Sequence, residues 1–237
     1  METAADFQLP RVLFEDERIL AVDKPSGVPS HSLSQSSGVS SSATPSVEAR
    51  LKAARGDRSV WLLHRLDTGT SGVLLFAKDE STYNTMREKF RARAIHKEYR
   101  AWSEGRPEAT LSLPAEITDP LAHHPKSKKR MIVLPEGKNL RHRGKPLAAH
   151  TRILAIGPAV WEGKPVTEIR VQIITGVMHQ IRVHLKSVGY PLVGDPIYGP
   201  RDTGEAPPRF SRLGLHAERI SFELDGFLYQ IEAPLPK

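Results

Sequence analysis

The chain contains no cysteine among its 237 residues, which excludes disulfides and thiolate metal sites and fits a reducing compartment. No apolar run approaches the roughly 20 residues a membrane-spanning helix needs. The opening stretch, METAADFQLPRV, has neither a basic start nor an apolar core, so no secretory signal is visible and the cytoplasm is the expected compartment. Three common catalytic devices are also missing: a Walker-type glycine loop, a GxSxG elbow and an HExxH pair. Acidic residues are in deficit, 27 against 34 Lys and Arg, which leaves a net charge of +7. Such an excess favours a polyanionic partner, because neutralising phosphates releases counterions.

What is present is an ordinary globular composition, 39% hydrophobic and 26% charged. The length suits one large domain or two small ones. RVLFEDERILAVDKP predicts two strands joined by a turn over Asp16 and Glu17. Residues 30–46 are rich in serine and are expected to form a mobile surface loop. Tyr83, Met86 and Phe90, spaced by three and four, predict a helix over 80–94. Strands are expected in HKEYRAW, from Met131, in GKPLAAHTRILAI and in VTEIRVQIIT, where Ile169, Val171 and Ile173 alternate with polar residues. In HQIRVHLKSVGY, Ile181, Leu185 and Val188 share a helical face, Gly189 is the expected stop, and His179 and Arg182 fall together on another face. The chain closes on a hairpin turning at Asp225-Gly226. Many strands, few helices and no regular βαβ rhythm predict an α+β fold on a mixed, mostly antiparallel sheet.

Two stretches stand out chemically. HHPKSKKR places Lys126, Lys128, Lys129 and Arg130 together, a candidate phosphate contact that would position a nucleic acid without reading sequence. HRLDTGTSGVLLFAKD puts Asp67 at the lip of an apolar run, Val73 to Ala77, with Arg65 two positions before it. Taken alone, Asp67 reads as readily as a turn residue capping local backbone. The ten histidines have poor spacing for zinc, and no metal site is expected.

HRLDTGTSG, taken with HQIRVHL and GDPIYG, resembles the RluA-type pseudouridine synthases. FEDERILAVDKPSG is similar to that family's opening strand pair and Lys-Pro-x-Gly turn, and HKEYRAW, TGVMHQIRVHL and GLHAERISF match further motifs in the family's order. The resemblance covers residues 11–236. It implies the pseudouridine synthase catalytic fold as a single domain over 11–237, preceded by a tail of about ten residues and no separate RNA-binding module. It also implies isomerisation of uridine to pseudouridine in ribosomal or transfer RNA, by a monomer needing no cofactor.

For individual residues the resemblance implies Asp67 as the catalytic carboxylate, acting covalently or by deprotonating the ribose. Arg182 is implied as the cation paired with it, since a carboxylate in an apolar pocket loses its charge unless a cation stands beside it. Tyr99 is implied against the base, stacking on it or moving a proton at C5. Arg65 would fill the gap left by a flipped nucleotide. Leu215 would line the pocket, and His64 would brace the turn or touch RNA. Val177 stands where many members carry an arginine. Two other readings are an RNA-binding protein on this fold without catalysis and a nucleoside glycoside hydrolase. The second is disfavoured because such enzymes usually need two working carboxylates.

Overall fold

The computed structural model describes residues 8–32, 44–56, 60–104, 113, 115–199 and 210–236. In chain order the elements begin with strands β1 (Arg11–Glu15) and β2 (Ile19–Lys24), helix α1 (Val47–Arg55), strands β3 (Trp61–Leu62) and β4 (Ser71–Ala77), and helix α2 (Glu80–Arg91). Strands β5 (His96–Ser103), β6 (Ala115–Ile117), β7 (Leu121–His123), β8 (Met131–Val133), β9 (Arg143–Leu147), β10 (Thr151–Trp161) and β11 (Lys164–Ile173) follow. Helix α3 (Gln180–Ser187) and the pair β12 (Leu215–Leu224) and β13 (Phe227–Glu232) complete the chain. The elements fall into two compact units, one of residues up to 95 with 217–237, the other of residues 96–216.

In the first unit the strand order is β1-β2-β4-β12, with β13 on β12 and β3 on β4. All seven residues of β4 are buried, as an apolar run flanked by strands on both sides requires. Gly72 sits on this strand with φ 109, and a Cβ there would lie 2.2 Å from the Ala217 carbonyl oxygen, so only glycine lets β12 approach. Alternate residues Ile19 and Ala21 of β2, Val73 and Leu75 of β4, and Ile220 and Phe222 of β12 form one core, against which Met86 of α2 is fully buried. Tyr83 and Phe90 pack on the same core, so the spacing of three and four marks the inward face of α2. The expected turn is present: Asp225 and Gly226 both have positive φ, and Leu224 pairs with Phe227 across them.

The sequence reading leaves 47–55 unassigned, yet these residues form α1. Ser46 caps it by accepting from the Ala49 amide at 3.1 Å, and Val47 and Leu51, four apart, are its buried residues. Residues 33–43 of the expected serine-rich loop, and 1–7 of the expected tail, lie outside the described residues. The two ends of the serine-rich segment are fixed: Ser30 is 2% exposed, and Ser32 and Ser46 share a hydrogen bond of 3.1 Å.

In the second unit β5, β11, β10 and β6 form consecutive antiparallel neighbours. Ile169, Val171 and Ile173 are buried and alternate with half-buried Arg170 and Gln172, as expected. The stretch GKPLAAHTRILAI divides into β9 and the start of β10. A separate three-stranded sheet runs β8-β7-β9, antiparallel throughout. The pairings β1–β2, β2–β4, β3–β4 and β12–β13 are antiparallel like those of the second unit, in line with the α+β, mostly antiparallel architecture expected from the sequence. Helix α3 ends in a Schellman motif at Gly189 (φ 90): the Tyr190 amide donates to Leu185 O at 2.8 Å and the Gly189 amide to Lys186 O at 3.1 Å.

Glu15, at the end of β1, receives Arg55 of α1 through Oε1 and Oε2 at 2.6 and 2.9 Å and Lys78 at 3.0 Å. The Arg55 hydrogen bonds, with Lys78 second, pull its carboxyl down from the ordinary 4.5 to about 2. A depressed carboxyl contributes stability that is complete above its unfolded pKa and is lost as pH falls through the folded value. Glu15→Gln is therefore expected to lower the melting temperature at pH 7 and to flatten its fall between about pH 4.5 and pH 2, the two proteins converging at the acid end. Parallel acid profiles would show that these cations do not act on Glu15.

Candidate active site

Asp67 lies in the first unit, between β3 and β4, on a stretch with no strand or helix to satisfy its backbone. The segment after β2 satisfies it instead. Lys24 is completely buried, and its three ammonium protons go to the carbonyls of Pro25, Val28 and Thr68 at 2.9, 2.6 and 3.1 Å. The Gly27 amide also donates to Thr68 O at 2.8 Å, and the Ser26 hydroxyl donates to Gly69 O at 2.7 Å. Ser30 Oγ donates to Leu66 O at 2.9 Å and accepts from the Leu66 amide at 3.0 Å. Asp67 O accepts from the Thr70 amide at 3.0 Å. Four successive carbonyls, 66 to 69, are thus each held, and the backbone of Asp67 has little freedom left.

Asp67 itself is half-buried, and Arg65 is exposed. His64 Nε2 accepts from the Leu75 amide at 3.2 Å and its ring packs 5.6 Å from that of Phe90, which makes it a brace between the loop and α2. Burial pushes the His31 imidazole below its ordinary pKa, and the Arg65 guanidinium pushes it the same way.

The second unit carries Tyr99, Arg182 and Leu215. Helix α3 starts at His179, whose φ of 57 is left-handed, and every residue from Gln180 to Leu185 is buried. The polar ones each have a defined task. Gln180 Nε2 donates to His150 O at 2.9 Å and Thr151 Oγ1 at 3.0 Å, while its Oε1 accepts from the Thr175 hydroxyl at 2.7 Å and the Val177 amide at 3.1 Å. His184 Nε2 is 3.0 Å from Asp119 O, which can only accept, so its Nδ1 accepts from the Thr151 hydroxyl at 2.9 Å. Burial keeps that imidazole pKa low, in agreement with the neutral tautomer these partners require.

Arg182 forms a two-pronged ion pair with Asp195, Nε to Oδ2 at 2.8 Å and Nη2 to Oδ1 at 2.7 Å. The side chains are 6% and 0% exposed. Asp195 Oδ1 also accepts from the amides of Ile197 and Tyr198 at 2.9 and 3.0 Å. Burial alone would raise the Asp195 carboxyl, but the Arg182 hydrogen bonds and charge outweigh it and hold the pKa below the ordinary aspartate value. The Arg182 guanidinium lies 5.2 Å from the centre of the Tyr198 ring, and Tyr198 OH meets His179 Nδ1 at 3.0 Å. His179 and Arg182, expected on one face, therefore share Tyr198 as a neighbour.

Tyr99 is 7% exposed and sits on β5 opposite Val171 of β11, and Leu215 is 3% exposed at the start of β12. Lys97, two residues before Tyr99 and so on the same side of the strand, has its Nζ 3.7 Å from where a Cβ on Gly176 would be. Burial pushes its amine down to about 8. Lys126, Lys128, Lys129 and Arg130 are all exposed on the loop joining β7 to β8. Among the described residues no cluster of three or more His, Asp or Glu gathers as a metal ion would need.

Sequence reasoning missed Lys24, Ser26 and Ser30 as supports of the Asp67 loop and Asp195 as the partner of Arg182. Lys24, Ser26 and Asp195 sit inside quoted motifs, KPSG and GDPIYG, which was the available signal; for Ser30 there was none. Asp195→Asn is expected to lower stability by about 3 kcal/mol in urea unfolding, because it removes the buried carboxylate that takes two hydrogen bonds from the Arg182 guanidinium. A loss below about 1 kcal/mol would show that Arg182 is balanced by other groups.

Residues 18–187 match a family model described as RNA pseudouridylate synthase. A protein described as an uncharacterized RNA pseudouridine synthase from Chloroflexus aurantiacus is 35% identical over 187 residues, which cover 78% of this chain and 52% of that protein. The ribosomal large subunit pseudouridine synthase D of Zymomonas mobilis is 29% identical over 234 residues, covering 95% and 69%. Its counterpart in Pseudomonas aeruginosa is 30% identical over 251 residues, covering 99% and 70%. The chain thus spans about half of the Chloroflexus protein and about 70% of the other two. Among solved structures, human RNA pseudouridylate synthase domain containing 1 superposes with a TM-score of 0.76 at 21% identity, covering 100% of this chain and 86% of that one, a likeness of fold. With the family model spanning most of the chain and the Pseudomonas relative matched along nearly all of it, the chain belongs to the RNA pseudouridylate synthase family, in its RluA-type branch.

Proposed function

We propose that this protein isomerises uridine to pseudouridine in ribosomal or transfer RNA, with Asp67 as the catalytic carboxylate. The observation that supports this most is the restraint on the Asp67 backbone: Lys24, Ser26, Gly27 and Ser30 hold the carbonyls and amide around an acid that needs no such support as a mere turn residue. A reacting group held in place before its substrate arrives saves the orientational entropy of positioning it during the reaction.

The reaction breaks the C1′–N1 bond, turns the uracil, and joins C1′ to C5. The C5 hydrogen leaves as a proton and N1 gains one, so no redox cofactor is required. Asp67 acts on the ribose, either by bonding to C1′ or by removing a ribose proton. Tyr99 stacks on the base or moves the proton at C5. Arg182 is the cation that keeps the carboxylate charged, Leu215 lines the pocket, and exposed Arg65 fills the space of the flipped nucleotide. Lys126, Lys128, Lys129 and Arg130 contact phosphates, while His64 acts as a brace. The reading takes the protein to work as a cytoplasmic monomer; no helix among the described residues is long and apolar enough to cross a membrane.

Tritium release from RNA labelled at C5 of uridine tests the reading. The wild type is expected to release tritium, and Asp67→Asn to release it at least about 10⁴-fold more slowly while binding the same RNA. No release by the wild type from either ribosomal or transfer RNA would leave an RNA-binding protein without catalysis.

A further inference from the structure

Lys24 and Lys97 are both withdrawn from water, and their surroundings treat them differently. Lys24 gives its three ammonium protons to three carbonyls. Among the described residues no group accepts a hydrogen bond from Lys97 Nζ or forms an ion pair with it. Burial alone acts on the amine, and at about 8 it is still an ammonium at neutral pH. A cation removed from water without a partner costs stability, so a structural task does not account for it.

The register of β5 and β11 sharpens the point. Facing residues of an antiparallel pair share one side of the sheet. On one side Glu98, Arg100 and Trp102 of β5 stand opposite Gln172, Arg170 and Glu168 of β11. The charges there meet one another, Arg100 with Glu168 at 2.8 Å and Arg170 with Glu98 at 3.5 Å. On the other side Lys97, Tyr99 and Ala101 stand opposite Ile173, Val171 and Ile169. All of these are buried except half-buried Lys97, which is also the one charge among them. The carboxylates that could pair with a lysine of β5 thus lie on the opposite side of the sheet.

Lys97 ends this apolar row, next to the turn between β11 and α3. Among the described residues beyond the chain neighbours of Gly176, Lys97 Nζ is the one atom that a Cβ there would meet, at 3.7 Å. Gly176 is exposed, so the ammonium ends beside a position that has no side chain to cover it. The turn leads into α3, the helix of Arg182, and Tyr99 stands two residues along β5 on the same side as Lys97. A desolvated cation beside these two residues is suited to an anion that arrives with the substrate.

The proposed reaction produces such an anion. Whether Asp67 bonds to C1′ or removes a ribose proton, the electron pair of the C1′–N1 bond leaves with the base. The detached uracil then carries a negative charge spread over N1, O2 and O4. We propose that Lys97 is a further catalytic residue, whose ammonium donates a hydrogen bond to a carbonyl oxygen of the uracil and balances the charge of the base while it is free of the ribose. The proposal rests on the synthase reading and deepens it by naming the counter-charge of the leaving base. Lys97 keeps its proton throughout: C1′–N1 breaks, C1′–C5 forms, the C5 proton leaves, N1 gains one, and the ammonium ends as it began. A fixed cation in a water-poor site favours the anion far more than the neutral uridine before it, so the contact speeds the step without tightening the binding of RNA.

The test compares the wild type, Lys97→Met and Lys97→Arg, each as the full chain, in tritium release at saturating RNA labelled at C5 of uridine. RNA affinity is read alongside by fluorescence anisotropy. Lys97→Met is expected to release tritium about 10²-fold more slowly with its affinity for RNA unchanged. Its melting temperature is expected to equal or exceed that of the wild type, because an apolar chain replaces a charge buried without a partner. Lys97→Arg keeps the charge and is expected to be clearly faster than Lys97→Met. A rate for Lys97→Met within about twofold of the wild type overturns the proposal. Equal rates for the two variants overturn it as well, since charge would then not be what the site uses. A loss in RNA affinity in place of rate also overturns it and makes a phosphate the anion. Absence of release by the wild type fails the synthase reading itself, whereas a normal wild type beside an unimpaired Lys97→Met fails the assignment of Lys97 alone.

Discussion

A guanidinium and a carboxylate withdrawn from water must satisfy one another almost completely, and the Arg182–Asp195 pair imposes that demand on the second unit. Asp195 takes two hydrogen bonds from Arg182 and two from the amides of Ile197 and Tyr198, so the loop after Gly194 has to fold around it. That fold sets Tyr198 against the guanidinium and within reach of His179 and Met131. One ion pair thereby fixes the start of α3, the loop of GDPIYG and the inner edge of the basic sheet. Replacing such a pair by well-packed apolar side chains often leaves a protein as stable or more so. Its value here lies in orientation: it presents one guanidinium in one direction.

The first unit solves a comparable problem for its backbone. The loop of Asp67 lacks a helix or strand to hold its carbonyls, and a fully buried ammonium, Lys24, gathers two carbonyls of its own segment and that of Thr68, 44 residues on. Two serines and an amide complete the work. Below the loop, β4 is buried along its whole length, and Gly72 lets β12 come close enough to cover it. The acid therefore sits on a loop that leads into a fully buried strand and takes most of its hydrogen bonds from elsewhere in the chain.

Set against these buried polar networks, the surface shows a division of labour. Outside residues 120–147 the charges balance, and many of the described cations meet a carboxylate. Inside them, like charges stand together without a carboxylate partner among the described residues, which costs electrostatic self-repulsion. That repulsion is spread over a flat, exposed sheet whose apolar side is docked on Val183 and Tyr198, where burial compensates for it.

Periodicity made much of the architecture legible from sequence. The alternation of β11, the spacing of Tyr83, Met86 and Phe90, the stop at Gly189 and the turn at Asp225-Gly226 all follow from interactions between near neighbours, which leave their pattern in the chain itself. Asp67, Tyr99 and Arg182 are proposed as site residues because their motifs keep the order of the family they resemble. Lys24, Ser30 and Asp195 as supports, helix α1, and the meeting of Arg143 with the loop after His123 were left to the tertiary structure. The contacts of Lys24 with Thr68, Ser30 with Leu66, Asp195 with Arg182 and Arg143 with His123 join residues 13 to 44 apart in the chain. A carbonyl accepts equally from any donor that folding brings to it, so such a bond imposes no spacing that could be read in advance.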